Sequence, residues 1–122
     1  MVEMVWVITV REESRGQFEL AFGPGGAWGR LFGRCAGFRG TTLLRDTLHA
    51  QRYLVIDIWD TAAQREQALA EYQDEVAALE ATFAAWVEER VDLGTFSILA
   101  EATVRPHGKA GPARRGGRRP PR

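Results

Sequence analysis

The residue best suited to acid–base chemistry is Asp57, because it stands inside an otherwise apolar segment, Arg52–Trp59. A carboxylate buried without a partner is costly, so we expect Asp57 to be paired or to have a raised pKa. With a raised pKa it could act as a general base and remove a proton from a bound substrate. The alternative is an ion pair with Arg39 or Arg45, across a sheet or a subunit interface.

Aromatic side chains are the second set of candidates. Four tryptophans in a chain of 122 residues could line a pocket for a flat aromatic ligand, as apolar rings line most small-molecule sites. The residues that we predict to shape such a pocket lie on apolar helical stripes or in the first apolar segment: Trp28, Phe32, Tyr72 and Trp6. Their alternative role is in the hydrophobic core, where stripes at helical spacing usually belong.

Other reactive side chains give weaker signals. Cys35 is the single cysteine, which excludes an internal disulfide, and its apolar stripe favours a buried hydrophobe over a nucleophile. The histidines His49 and His107 lie in a predicted turn and in the C-terminal tail, and no His, Asp and Glu cluster has metal-ligand spacing, so we predict no metal site. Residues 23–26 lack the spacing of a dinucleotide-binding loop and are interpreted as a kink over a cavity mouth.

The hydrophobic pattern places these side chains on four strands and two helices. Strands are predicted at residues 4–10, 41–45, 52–59 and 95–100, with an extension of the last to 104 left open. The order β-α-β-β-α-β is that of the ferredoxin-like α+β fold, a four-stranded antiparallel sheet with both helices on one face.

Capping boxes predict where the helices begin. Ser14 and Gln17 have capping-box spacing before the first helix, which is interrupted at residues 23–26 and ends at 37–40. Thr61 and Gln64 have the same spacing before the second. The second is predicted as one long amphipathic helix that runs until Leu93 and Gly94 break its pattern.

Both faces of the predicted sheet are apolar. In the third strand, Leu54, Ile56 and Ile58 share one face, opposite Tyr53, Val55, Asp57 and Trp59; in the first, Val5 and Val7 oppose Trp6, Ile8 and Val10. Helices cover one face, and the other would expose an apolar patch too large for a soluble monomer. We therefore predict a two-fold homodimer in which a second copy covers it.

Charge divides the chain into an acidic body and a basic tail. The 16 basic and 16 acidic side chains balance, but seven of the basic ones and none of the acidic ones follow Val104. We predict an ordered domain at residues 1–104 and a disordered Pro/Gly/Arg-rich tail at 105–122. The tail has no aromatic residue to stack on a base, so contact with its own acidic body is favoured over nucleic-acid binding.

The apolar runs also bear on location. A membrane-spanning helix needs about 20 apolar residues, and the sequence has no such run. The short run near the start is preceded by Glu3 and lacks the pattern of a secretory leader. We therefore expect a mature cytoplasmic chain without a membrane partner.

Three segments resemble the antibiotic biosynthesis monooxygenase family: Ala36-Gly37-Phe38-Arg39-Gly40, Tyr53 through Trp59-Asp60, and Leu93-Gly94-Thr95-Phe96. The resemblance covers residues 4–100. It implies a dimeric α+β barrel with a cavity between sheet and helices in each protomer, and an aromatic side chain near that cavity at the position of Trp59. Some members oxygenate aromatic, polyketide-like substrates with O2 and no metal or flavin, and related branches degrade haem.

The resemblance implies an activity and site roles. We expect a monooxygenase without cofactor that acts on a small planar aromatic substrate, polyketide- or quinol-like. Asp57 would be acid–base group or orienter, Arg45 its charge partner, and Trp59 would stack on the substrate. The sequence departs from the family in having no Asn, which relatives use in the site, and no His on the second helix, where haem-degrading relatives place one. The alternative is a non-catalytic dimer that binds a small hydrophobic ligand or serves as a stress-associated accessory protein.

Overall fold

Four strands form one antiparallel sheet in the computed structural model, which describes residues 1–101. The predicted tail, residues 105–122, lies outside the described residues. The strands are β1 (Val2–Val10), β2 (Phe38–Arg45), β3 (Arg52–Trp59) and β4 (Val87–Ser97), in the order β2-β3-β1-β4. The helices are α1 (Arg15–Phe22), α2 (Ala27–Phe32), α3 (Ala62–Glu71) and α4 (Gln73–Ala84). The predicted ferredoxin-like α+β fold is confirmed.

The pairing of β1 with β3 explains which side chains face the helices. Met4 lies opposite Asp57, and Trp6 lies opposite Val55. Because successive side chains alternate between faces, every second residue along β1 and β3 enters the core. The buried side chains follow this alternation: Met4, Trp6, Ile8 and Val10 on β1, and Tyr53, Val55, Asp57 and Trp59 on β3.

The last strand begins earlier than predicted. β4 starts at Val87, which pairs with Val10, rather than at residue 95. The sequence pattern was misleading because Leu93 and Gly94 interrupt no helix; they lie within the strand, where the register with β1 shifts beside Val5. Gly94 has a φ of 116° there, a conformation that glycine adopts at little cost in a bulge.

The helices also depart from prediction. The long second helix is divided at Tyr72 into α3 and α4. The predicted cap at Thr61 is confirmed, since its hydroxyl accepts a hydrogen bond from the Gln64 N–H at 3.1 Å. The cap at Ser14 is wrong, because its side chain makes no capping bond and a 3-10 turn, Glu12–Ser14, leads into α1 instead. None of the helices within residues 1–101 is long and apolar enough to cross a membrane.

The helix-free face of the sheet is apolar. Its centre is formed by half-buried side chains from β1 and β3: Val5, Val7, Leu54, Ile56 and Ile58. On β4, Val91, Leu93 and Phe96 are 42%, 48% and 51% exposed. The predicted apolar character of both faces is therefore confirmed, and no part of the chain described by the structure covers the helix-free one.

Candidate functional site

A cavity of about 450 Å³ lies between the sheet and the helices α1, α2 and α4. Its walls are apolar rings and aliphatic side chains: Trp6, Ile8, Phe18, Phe22, Trp28, Val55, Phe83, Ala84 and Val87. Two polar side chains, Glu80 and Arg90, complete the lining. Each is more than a third exposed, so the cavity opens to solvent between α4 and β4.

The rings of the walls are held by one another. Phe22 is the centre of the cluster, with its ring centroid 4.8 Å from Phe18, 5.3 Å from Trp28 and 4.7 Å from Phe83. All three pairs are tilted, a favourable arrangement for aromatic rings. The pattern arises because α1 presents Phe18 and Phe22 four residues apart on one face, toward the rings of α2 and α4. The cavity is thus walled by aromatic rings that pack on one another.

Two arginines lie against the Trp6 ring of the cavity wall. The guanidinium carbons of Arg65 and Arg90 lie 5.9 Å and 5.6 Å from the centroid of the Trp6 ring, within the range of a cation–π interaction. Arg90 also pairs with Glu80, with 3.0 Å between Nη1 and Oε1. Arg65 has an acidic neighbour as well, with 3.7 Å between its Nη1 and Oε2 of Glu66.

Asp57 does not line the cavity but lies behind Trp28, which does. It is 2% exposed. The Trp28 indole N–H donates to Oδ2 at 2.9 Å and to Oδ1 at 3.1 Å. The Thr41 hydroxyl donates to Oδ1 at 2.7 Å. The carboxyl thus connects a residue that lines the cavity with a residue of the neighbouring strand β2.

Burial raises the pKa of the Asp57 carboxyl above its ordinary value. Hydrogen bonds from Thr41 and Trp28, and the positive charges of Arg65 and Arg90, act in the opposite direction and offset the burial only in part. A carboxyl group with a raised pKa is a stronger base than an exposed one, which suits proton abstraction.

The predicted ion-pair partners of Asp57 are wrong. Arg45 donates to Glu19 at 3.2 Å, and Arg39 to Asp60 at 2.6 Å. The register explains this, because Thr41 is the residue of β2 opposite Asp57. Arg45 is four residues further along the strand, about 13 Å away at the rise of an extended chain.

Two of the residues predicted to contact substrate, Trp6 and Trp28, line the cavity, and three do not. Trp59 and Phe32 pack beside Phe38 in a separate cluster, with the Trp59 centroid 5.8 Å from Phe32 and 5.1 Å from Phe38. The Trp59 indole N–H is buried there without a hydrogen-bond partner among residues 1–101. Tyr72 lies at the α3–α4 junction under the Arg34 guanidinium, 4.7 Å from the ring centroid.

Sequence reasoning did not assign a site role to Thr41, Phe83 or Arg90. Phe83 lies on the apolar stripe of the second predicted helix, a signal that was read as core. Thr41 was placed in a strand, but its position opposite Asp57 depends on a register that only the structure gives. Arg90 gave no signal, because the segment before Leu93 was assigned to a helix.

The described residues do not provide a metal centre. Within residues 1–101, no three His, Cys, Asp and Glu side chains come close enough to hold a metal ion. His49 is exposed in the connection between β2 and β3, and His107 lies outside the described residues. Cys35 follows α2 and is half-buried, and burial raises the pKa of its thiol, which makes it a poor nucleophile.

Comparisons with known proteins are consistent with this architecture. No protein-family model matches the sequence, and no curated protein is significantly similar to it. Among solved structures, SnoaB, a cofactor-independent oxygenase from Streptomyces nogalater, is 28% identical, with 86% of this chain and 97% of that chain covered and a TM-score of 0.59.

Two more distant structures share the fold. A candidate antibiotic biosynthesis monooxygenase from Bordetella bronchiseptica is 20% identical over 81% of this chain and 97% of its own, with a TM-score of 0.63. The heme-degrader MhuD from Mycobacterium tuberculosis, solved with two hemes bound in its active site, is 20% identical over 84% of this chain and 100% of its own, with a TM-score of 0.55. The chain therefore has the ferredoxin-like α+β fold of the antibiotic biosynthesis monooxygenase type.

Proposed function

We propose that the chain belongs to the antibiotic biosynthesis monooxygenase family and is a cofactor-independent monooxygenase for a small planar aromatic substrate. The observation that carries this proposal is an aromatic-walled cavity with one buried carboxyl group of raised pKa, Asp57, hydrogen-bonded to the lining residue Trp28. The 28% identity to SnoaB, itself a cofactor-independent oxygenase, supports the same assignment.

Binding follows from the shape and charge of the cavity. Its volume of about 450 Å³ falls within the usual range for small-molecule sites. A polyketide- or quinol-like ring system would stack on Trp6 and Trp28, with an oxygen substituent directed toward Arg90. Because Arg90 is exposed at the mouth and already paired with Glu80, its attraction to that oxygen is screened by solvent, and it would orient the substrate more than hold it.

The chemistry begins with a proton transfer. Oδ2 of Asp57 accepts a hydrogen bond only from Trp28 among residues 1–101. Because Asp57 does not itself line the cavity, the Trp28 ring would turn aside for a phenolic proton to reach Oδ2. The resulting phenolate is electron-rich enough to pass an electron to O2. In the overall reaction, a CH2 group of the substrate and O2 become a C=O group and water, with the substrate supplying every electron.

Haem does not fit this cavity. Its lining residues within the described part of the chain include no His, Cys, Tyr or Met, so no axial ligand is at hand.

We further propose that the protein works as a homodimer in which the helix-free faces of two sheets pack together. Val91, Leu93 and Phe96 extend the half-buried apolar side chains of β1 and β3 across that face. A continuous apolar surface of this kind is typical of an interface. Because the same patch lies on both copies, pairing about a two-fold axis is self-complementary.

One observation favours the alternative, a non-catalytic protein that binds a small hydrophobic ligand. Asp57 is nearly fully buried and already accepts hydrogen bonds from two donors, as a purely structural carboxyl would. Oxygen consumption with a hydroxylated anthrone, measured in the presence of a chelator, separates the two functions. Uptake that is lost in Asp57→Asn supports the monooxygenase; quenching of tryptophan fluorescence by the same compound without any uptake supports the binding protein.

A further inference from the structure

A second cleft lies on the other side of one wall of the cavity. A cleft of about 760 Å³ lies between the glycine-rich turn after α1 and strand β2, and its lining includes Glu19, Phe22, Pro24, Arg30 and Thr41. Phe22 lines both the cavity and the cleft, so the two spaces are separated by the thickness of a single layer of side chains. The cavity mouth is at β4, whereas the cleft is at β2, the opposite edge of the sheet.

Asp57 is the ionisable group within this wall. On one side it accepts from Trp28, which lines the cavity, and on the other from Thr41, which lines the cleft. Thr41 is half-buried, so its hydroxyl is the polar group that joins the buried carboxyl to the accessible side. The charged groups that act on Asp57 from the surrounding elements are Arg65 on α3 and Arg90 on β4, and Glu19 and Arg30 line the cleft.

The two donors differ in what they can do with a proton. An indole N–H is a donor only, so Trp28 cannot take a proton from the protonated carboxyl. A hydroxyl both donates and accepts. A proton taken up on Oδ2 comes to face Thr41 when the carboxyl group rotates about its Cβ–Cγ bond, because Thr41 contacts the Oδ1 position. Thr41 can then receive that proton on Oγ1 while it gives its own proton to water in the cleft, and the hydroxyl is restored in the same step.

We propose that Thr41 is the positioning residue that carries the proton of Asp57 out to the cleft, away from the mouth through which the substrate enters. A catalytic role for this proton route rests on the proposed function. The route itself, in which the Asp57 carboxyl exchanges protons with solvent through the Thr41 hydroxyl, can be tested without any turnover.

The test compares Thr41→Val, which removes the hydroxyl at nearly constant volume, with Thr41→Ser, which keeps it. Thr42→Val is the matched control, because Thr42 lies opposite Ile56 and makes no bond to Asp57. The readout is the NMR signal of the Trp28 indole N–H, assigned with Trp28→Phe, as a function of pH. In the wild type, Thr41→Ser and Thr42→Val we expect one signal that moves continuously as Asp57 titrates.

In Thr41→Val we expect two changes. The midpoint moves to higher pH, because the ionised carboxyl has lost a hydrogen bond. The single moving signal is replaced by two separate signals, because the carboxyl now exchanges its proton slowly. A midpoint shift with one continuously moving signal would show that the proton has another route and would overturn the proposal.

Turnover then separates this proposal from the proposed function. If the wild type consumes O2, Thr41→Val should lower kcat by at least about tenfold with KM unchanged, as for loss of one acid–base participant, and Thr41→Ser should restore it. Unchanged kcat in Thr41→Val would overturn the relay while leaving the oxygenase intact. Absence of uptake by the wild type, with slow exchange still seen in Thr41→Val, would instead refute the proposed function and keep the proton route.

Discussion

Replacement of Asp57 by asparagine should make the protein more stable at neutral pH and inactive. The asparagine oxygen can accept the Trp28 indole N–H, and its amide can donate to the Thr41 hydroxyl, so the hydrogen bonds of the wild type can be replaced. What disappears is the burial of a charge. The two effects together, higher stability and lost activity, are the signature of a group retained for function.

The sign of the pH dependence follows from the raised pKa of Asp57. Between the ordinary pKa of an aspartate and the raised value, the folded state binds more protons than the unfolded state. Stability of the wild type therefore falls as pH rises through that window, and the full loss is present above it. Asparagine does not titrate, so the advantage of Asp57→Asn should grow over the same window and vanish at low pH.

The gain in stability of Asp57→Asn at neutral pH scales with how far the pKa of Asp57 is raised. Each pH unit by which that pKa is raised corresponds to about 1.4 kcal/mol in the free energy of unfolding. For a domain of this size, 1 kcal/mol moves Tm by about 4 °C. Solvent screens the Asp57 charge little, because the side chain is only 2% exposed. Thermal unfolding followed by circular dichroism at several pH values measures the difference in Tm between Asp57→Asn and the wild type. Glu13→Gln is the control, because the Glu13 carboxylate is exposed and makes no ion pair among residues 1–101.

The opposite result would refute the reasoning. If Asp57→Asn is less stable than the wild type at neutral pH, and the wild type gains stability as pH rises, then the two hydrogen bonds outweigh burial and the carboxyl is held ionised. A carboxylate of that kind is a weak base, and the assignment of proton abstraction to Asp57 would fall with it.

Three further predictions test the fold and the assembly. Thr61→Ala should lower the free energy of unfolding by about 1 kcal/mol, measured by urea denaturation, whereas Ser14→Ala should lose less because Ser14 makes no capping bond. Phe83→Ala should cost about 3–5 kcal/mol and weaken fluorescence-detected binding of the anthrone; unchanged affinity would mean that the ligand binds elsewhere. Leu93→Lys should shift a dimer to a monomer in sedimentation velocity, and a wild type that is monomeric at micromolar concentration would refute the pairing of the sheets.

The strand pattern was predictable because it depends on local alternation. Val55, Asp57 and Trp59 had to share a face once Arg52–Trp59 was recognised as a strand, and all three are buried on the helix side. The helix cap at Thr61 was equally local. The start of β4 was not predictable from local pattern. Residues 87–93 carry mixed charges, which an edge strand tolerates but which also resemble the polar face of a helix.

The site was only partly predictable, since its contacts join elements distant in sequence. Asp57 was recognised from its apolar surroundings alone. Its partners Trp28 and Thr41 are 29 and 16 residues away, and nothing in their own segments indicates a bond to a carboxyl. The same limit misplaced Arg45, whose charge was a sound reason to expect pairing but whose register directs it to Glu19 instead.

The single ring of Phe22 has a consequence for the range of molecules that this scaffold could accept. Because that ring is shared by the cavity and the cleft, exchanging it for a small side chain would join them into one tunnel from edge to edge of the protomer. A compound too long for the present chamber would then thread past Trp28. The side chain at position 22 would thus set the length of ligand that the protein accepts, with no change in the strands.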